Sequence, residues 1–176
     1  YYSGTVEPLT AFLQSASEQG WQPKILVGTS SIYTPDLITE SGAASEGAMT
    51  YTNVVPFEGA KPGSATAKYV ELLEQYADGA EPALLGAQSM SAWLLWATAA
   101  KACGSTLTRD CIAEQIGKAT DWTGGGLQAP ANVAAGEQPP CYVLLQVKDG
   151  AWVRVHPDSG FDCDDSYVVP TSANYQ

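Results

Sequence analysis

Charge is scarce in this chain of 176 residues: 15% are Asp, Glu, Lys or Arg, against roughly 25% in an average soluble protein. Basic residues are the scarcer sign, with 8 Lys and Arg against 19 Asp and Glu, giving a formal net charge of −11. A phosphate backbone demands a cationic face, so this balance argues against nucleic-acid partners. Histidine occurs once, as His156, and the four cysteines include no Cys-x-x-Cys pair, so structural zinc lacks its usual ligands. Also missing are Gly-x-Ser-x-Gly, His-Glu-x-x-His, the phosphate-binding Gly-x-x-x-x-Gly-Lys and Gly-x-Gly-x-x-Gly. His156 lies beside Pro157 at the end of an expected hairpin, where a surface role is commoner than that of a general base. The sequence thus reads as non-catalytic, without a metal or cofactor. Asp158, Asp162, Asp164 and Asp165 resemble an oxygen-rich calcium loop, but the spacing and Gly of an EF-hand are absent and a solvated acidic tail is the expectation.

Long uninterrupted apolar runs are lacking too. The stretch from Pro82 to Ala100 carries no charge and reaches the length of a membrane span. Gly86, Gln88, Ser89 and Ser91 interrupt it, so the expectation is a buried helix with Leu84, Leu85, Trp93, Leu94, Leu95 and Trp96 in a protein interior. The opening Tyr1-Tyr2-Ser3-Gly4 shows neither an initiator Met nor a charged-then-apolar leader, so any signal peptide is expected to lie upstream or to have been removed.

What is present suffices for a core, since 45% of the residues are apolar. The first third alternates strand and helix. Tyr1-Tyr2 reads as a strand stub, and Pro8 opens a helix with Leu9, Phe12, Leu13 and Ala16 on one face. A strand at Lys24-Ile25-Leu26-Val27 leads into the hydroxyl-rich Gly28-Thr29-Ser30-Ser31, Thr34-Pro35 caps a short helix ending near Gly42, and a third strand spans Ala48 to Val55. This order predicts a parallel α/β sheet. The middle third is helical, with Tyr69, Leu72, Leu73 and Tyr76 at helical spacing and Thr108 capping a helix that carries Ile112 and Ile116. Trp122-Thr123-Gly124-Gly125-Gly126 then breaks the pattern. Two alternating runs around Lys148-Asp149-Gly150 predict a hairpin.

The spacing of Cys103 and Cys111 suits a bridge from one helix to the next, and Cys141 with Cys163 would pin the tail to a strand. Two disulfides imply an oxidising compartment outside the cytoplasm; four buried free thiols are the alternative. Ligands of parallel α/β sheets sit beyond the carboxyl ends of the strands. Here two successive strand ends lead into Ser3-Gly4-Thr5 and Thr29-Ser30-Ser31, which offer hydroxyls and N–H donors without fixed charge, suited to a small polar or anionic solute. Helix capping alone is the competing explanation of these residues.

The run Tyr1-Tyr2-Ser3-Gly4-Thr5-Val6-Glu7-Pro8, then Gly20-Trp21, Ile25-Leu26-Val27-Gly28 and Gly42-Ala43-Ala44-Ser45-Glu46-Gly47, resembles the C-terminal half of type I periplasmic solute-binding proteins of the branched-chain amino-acid type. The likeness continues through Trp122-Thr123-Gly124-Gly125-Gly126-Leu127 and Cys141-Tyr142-Val143-Leu144-Leu145-Gln146-Val147, and the two cysteine pairs look like those of actinobacterial members. The resemblance implies parts of two three-layer α/β/α lobes joined by three crossings, closing on a solute that is delivered to an ABC permease. Residues 1–52 would belong to the second lobe and 53–138 to the first, with 139–176 returning to the second as a hairpin and tail. It also implies a fragment whose partner is the missing N-terminal half of the same protein, in an extracytoplasmic setting with a lipid anchor, where one exists, upstream of this chain.

By the same resemblance Thr5 follows the Tyr-Tyr strand at a ligand-contacting position, and Thr29 or Ser30 falls where amino-acid binders place an acid for the substrate ammonium. That acid is absent. Leu85 and Gln88 match the start of the long helix facing the cleft, Met90 replaces the usual aromatic nearby, and Tyr33 is a candidate for stacking on the solute, with a core position as its alternative. The expected function is that of an ABC importer's solute receptor, with a ligand-sensing receptor domain of the same fold, or a small secreted disulfide-stapled enzyme, as alternatives.

Overall fold

The computed structural model describes residues 1–137 and 139–168. The boundary expected at Gln138 and the tail from 169 onward lie outside the described residues.

Local chemistry places the helices close to where the sequence predicts them. Helix α1 (Val6–Glu18) buries Leu9, Leu13 and Ala16 along one face, while Phe12 stays half exposed with its ring edge-on to Trp21. In α2 (Pro35–Ser41) Thr34 accepts a hydrogen bond from the Asp36 N–H, with Pro35 at the first helical position. Ser64 caps α3 (Ala65–Tyr76) through the Ala67 N–H, and Thr108 caps α5 (Arg109–Ile116) through the Cys111 N–H. Between these lies α4 (Leu84–Cys103).

Strands β1 (Val27–Gly28), β2 (Met49–Thr52), β3 (Cys141–Lys148) and β4 (Ala151–His156) form a sheet in the order β1-β2-β3-β4, and a short β5 (Asp162–Cys163) pairs with the start of β3. Tyr2 adds one parallel bridge to Gly28. The sheet is mixed, which corrects the parallel sheet expected from the alternating first third. Among the strands of the described residues only β1 and β2 run parallel, because β3 arrives from the helical segment in the opposite direction and β4 folds straight back on it. That return is made by Asp149 and Gly150, both at positive φ (52° and 71°), the geometry a tight hairpin turn requires. Glu46 holds the turn by accepting from both backbone N–H groups.

One sheet face carries Val143, Leu145 and Val147, which join Leu9, Leu13, Ile32, Leu37 and Trp152 in a single core. The period of two turns Tyr142 and Leu144 to the other face, where Leu144 lies opposite Tyr51. The segment between β2 and β3 adds helices and two isolated bridges, Val54 with Gln128 and Trp122 with Ala131. It contributes Tyr69, Leu84, Ala87 and Leu127 to the core.

Helix α4 corrects the expectation of a buried helix. It buries only Leu84, Ala87, Ser91 and Ala99; Leu85 (63%) and Trp93 (69%) are largely exposed, and Leu94 and Trp96 are partly so. Its apolar character runs all round, and this chain covers one stripe of it. Among the described residues no helix is long and apolar enough to cross a membrane. Both expected cysteine pairs are bonded, Cys103 with Cys111 and Cys141 with Cys163.

Candidate functional site

The two loops expected to form a binding rim lie side by side. The Thr29 N–H donates to the Tyr2 carbonyl (3.0 Å), the Ser31 hydroxyl to the Gly4 carbonyl (2.9 Å), and Thr29 Oγ1 shares a 2.8 Å hydrogen bond with Ser31 Oγ. The parallel bridge between Tyr2 and Gly28 is the reason: adjacent parallel strands end at the same edge, so both loops leave it together.

A cavity of about 560 Å³ opens beside this rim, over the sheet face opposite the core. Ser30 lines it from the β1 rim, Asn53 from the chain leaving β2, and Gln88 from the second turn of α4. Pro139 and Pro140 enter from the chain returning to β3, and Tyr51, Tyr142 and Tyr167 supply aromatic surface. Among the described residues, none of the lining side chains is Asp, Glu, Lys or Arg. Tyr51 and Tyr1 share a hydrogen bond of 3.3 Å between their hydroxyls, and this contact, more than burial, raises the Tyr51 pKa.

Of the residues singled out in the sequence, Ser30 and Gln88 meet at the cavity, although 58 positions separate them in the chain. Thr29 is occupied in the hydrogen bonds of the rim. Thr5 is the exposed N-cap of α1; Glu7's own backbone N–H and then the Thr5 hydroxyl hold the Glu7 carboxyl below its usual pKa. Leu85 lies one turn before Gln88, exposed and outside the lining.

Tyr33 is corrected from a candidate for stacking on a solute to a core residue. It is 1% exposed, stacked on Phe57 (centroids 5.0 Å apart, 9° between planes) and edge-on to Trp152, so neither ring face is free. Its hydroxyl donates to Glu58 Oε2 at 2.6 Å and accepts from the Phe57 N–H at 2.9 Å. Burial first, and then the Glu58 charge, push its pKa well above the phenol range. Glu58 is exposed as a residue, yet its carboxylate reaches inward to this hydroxyl, and desolvation there raises its pKa despite the hydrogen bond.

Sequence reasoning missed Tyr51, Asn53, Tyr142, Leu144 and Tyr167 at the cavity. Strand alternation carried a signal for three of them. Thr50 and Thr52 are buried, so Tyr51 points the other way, and Val143 does the same for Tyr142 and Leu144. Nothing in the local pattern marks Tyr167, which arrives by way of the tail.

A crevice where the chain leaves and re-enters an open α/β sheet is a common place for α/β proteins to bind ligands. A sequence model described as periplasmic binding protein matches residues 2–151, and the chain belongs to that family. A search of curated proteins finds no match.

Similar solved structures include a leucine binding protein from Thermotoga maritima, with 24% identity and a TM-score of 0.68 over 94% of this chain and 45% of that one. Another is a branched-chain amino acid ABC transporter protein from Thermus thermophilus with bound valine, with 18% identity and a TM-score of 0.72 over 94% and 47%. An extracellular ligand-binding receptor from Rhodopseudomonas palustris gives 19% and 0.71 over 88% and 46%. At these identities the likeness carries the type I fold. The chain spans less than half the length of the structures it matches.

Proposed function

We propose that this chain is part of an extracytoplasmic solute-binding component of an ABC uptake system, which holds a small polar or anionic metabolite between two lobes and passes it unchanged to a permease. The observation that carries this reading is the cavity that Ser30, Asn53 and Gln88 share, because it gathers a strand rim, a crossing and the helical segment around one space. In this reading residues 1–52 and 139–176 belong to one lobe and 53–138 to the other, with crossings near Asn53 and Pro139, and the two are packed together through Tyr33, Phe57 and Leu84. The missing N-terminal half of the same protein would cover the exposed apolar side chains of α4, together with Trp21 and Ile25 at the β1 edge. Both disulfides support an oxidising compartment.

A non-catalytic role is supported by the surroundings of His156, whose side chain bonds Asp162 and no hydroxyl or thiol nucleophile among the described residues. The uncharged lining argues against an ordinary zwitterionic amino acid. With no carboxylate among the described residues that line this chain's side of the cavity, an α-ammonium forgoes there a charge-assisted hydrogen bond of about 1.5–3 kcal/mol. Calorimetry on the full-length protein is expected to show no micromolar binding of leucine or valine, and micromolar binding of either would refute this choice of solute.

A further inference from the structure

The chain after β4 does not trail away from the sheet. Asp162–Cys163 pairs antiparallel with the start of β3, placing Cys163 opposite Cys141 and Asp162 opposite Tyr142, and the second disulfide closes that register. Asp162 Oδ2 accepts from the Tyr167 hydroxyl at 3.1 Å and lies 2.8 Å from His156 Nε2. The Asp164 carboxylate accepts from the Ser166 N–H at 2.8 Å and fixes the turn Asp165–Tyr167. The Tyr167 ring is thereby set edge-on to Tyr142, with centroids 5.2 Å apart, and both rings line the cavity. Residues 162–168 lie outside the hydrophobic core. What they fix is the position of one aromatic wall.

We propose that Tyr142 and Tyr167 are specificity-determining residues of the solute cavity, held in place by the Cys141–Cys163 bond and Asp162, and that the cavity takes an uncharged, ring-bearing solute with hydroxyl or carbonyl groups. The inference rests on the solute-receptor reading and narrows it to the uncharged class. Two rings at an angle offer a face and an edge to a planar or cyclic body. The amides of Asn53 and Gln88 and the hydroxyls of Ser30 and Tyr51 can donate to and accept from neutral polar groups. A charged solute would surrender hydration here without gaining an ion pair. The volume lies within the range of roughly 300–1,000 Å³ usual for small-molecule sites. Tyr142 and Tyr167 touch the solute; Asp162 is a positioning residue, and its hydrogen bond with Tyr167 pushes that phenol's pKa up to about 12.

The test uses the full-length protein, titrated with 4-hydroxybenzyl alcohol, myo-inositol, leucine and succinate, alongside native mass spectrometry for any retained small molecule. One of the two neutral ring probes is expected to bind. Tyr142→Leu and Tyr167→Leu should each weaken that binding about tenfold, with Tyr167→Phe retaining it and Tyr76→Leu, exposed on α3, as the control. Cys141→Ser/Cys163→Ser should weaken it comparably, and Cys103→Ser/Cys111→Ser should not, with melting curves confirming that each variant folds. A bound or retained solute that is charged or lacks a ring overturns the inference and leaves the receptor reading standing, as does ring-probe binding indifferent to both tyrosine changes. No bound or retained solute of any kind overturns both.

Discussion

The sheet and the helical segment use aromatic residues in opposite ways. In the sheet region Tyr33 packs ring against ring with Phe57 and Trp152, and the two rings that carry a polar atom have it satisfied: Tyr33 by Glu58 and the Phe57 N–H, Trp152 by the Thr34 carbonyl at 3.1 Å. In the helical segment Trp93 and Trp96 meet each other edge-on at 5.8 Å and otherwise face outward. Both regions are apolar enough to form a core. The difference is that β2, β3 and β4 bring α1 and α2 a partner surface within this chain, whereas α4 finds one only along the stripe of Leu84, Ala87, Ser91 and Ala99. Hydrophobicity along the chain therefore reports the demand for burial, and not which segment supplies it.

Truncating one tryptophan from each region breaks the comparison most sharply. Trp152→Ala removes a ring that is almost wholly buried and should lower the unfolding free energy of this chain by about 3–5 kcal/mol. Trp93→Ala should change it by less than about 0.5 kcal/mol, both read from urea unfolding curves. Comparable losses at the two positions would mean that α4 has a covered face in solution.

A smaller effect is expected where the helical segment does make a fitted contact. Ser91 donates to Gln128 Oε1 at 2.6 Å and accepts from Trp122 Nε1 at 2.9 Å, so it ties α4 to the glycine loop. Gly124 sits there at φ +61°, and an added Cβ would lie 2.7 Å from the Ser91 oxygen. Gly124→Ala combines left-handed strain with that crowding and should cost about 2 kcal/mol, with faster amide exchange confined to residues 122–128. Loss of protection throughout the sheet instead would show that the two regions unfold as one.

Elements governed by neighbouring residues were legible in the sequence. The caps at Thr34 and Thr108, and the Asp149-Gly150 turn, obey rules that reach no further than three residues, and each is found where expected. Strand direction was not legible, because the order of β1, α2 and β2 is the same whether the next strand to join runs parallel or antiparallel. The cavity was half legible. Ser30 and Gln88 follow from the family likeness, but Tyr51 depends on the register that sets it against Leu144, and Tyr167 on a turn fixed by Cys163, Asp162 and Asp164. Tyr33 was ambiguous for a related reason: its sequence neighbours do not reveal that Phe57 and Trp152 will close over both sides of its ring.

Glu58 offers the finest probe of the same contrast, since its carboxylate is drawn to the buried Tyr33 hydroxyl. Its folded pKa lies above the unfolded value, chiefly through desolvation. The folded state therefore binds the proton more tightly, and the associated stability is full below the ordinary glutamate pKa and lost as pH rises through the raised one. Glu58→Gln keeps an acceptor for the Tyr33 hydroxyl while removing the charge. The variant should melt no more than about 2–4 °C above the parent at neutral pH, and the gap should shrink as acid protonates the parent's carboxyl. Glu114, whose exposed carboxyl is held below its usual pKa by Lys118 in the helical segment, has the opposite linkage sign: any contribution is present above the unfolded pKa and fades as pH falls through the folded one. A Glu58→Gln melting point that falls at neutral pH would mean that the negative charge itself holds Tyr33 in place, and that the sheet core depends on a charged hydrogen bond more than on the fit of its rings.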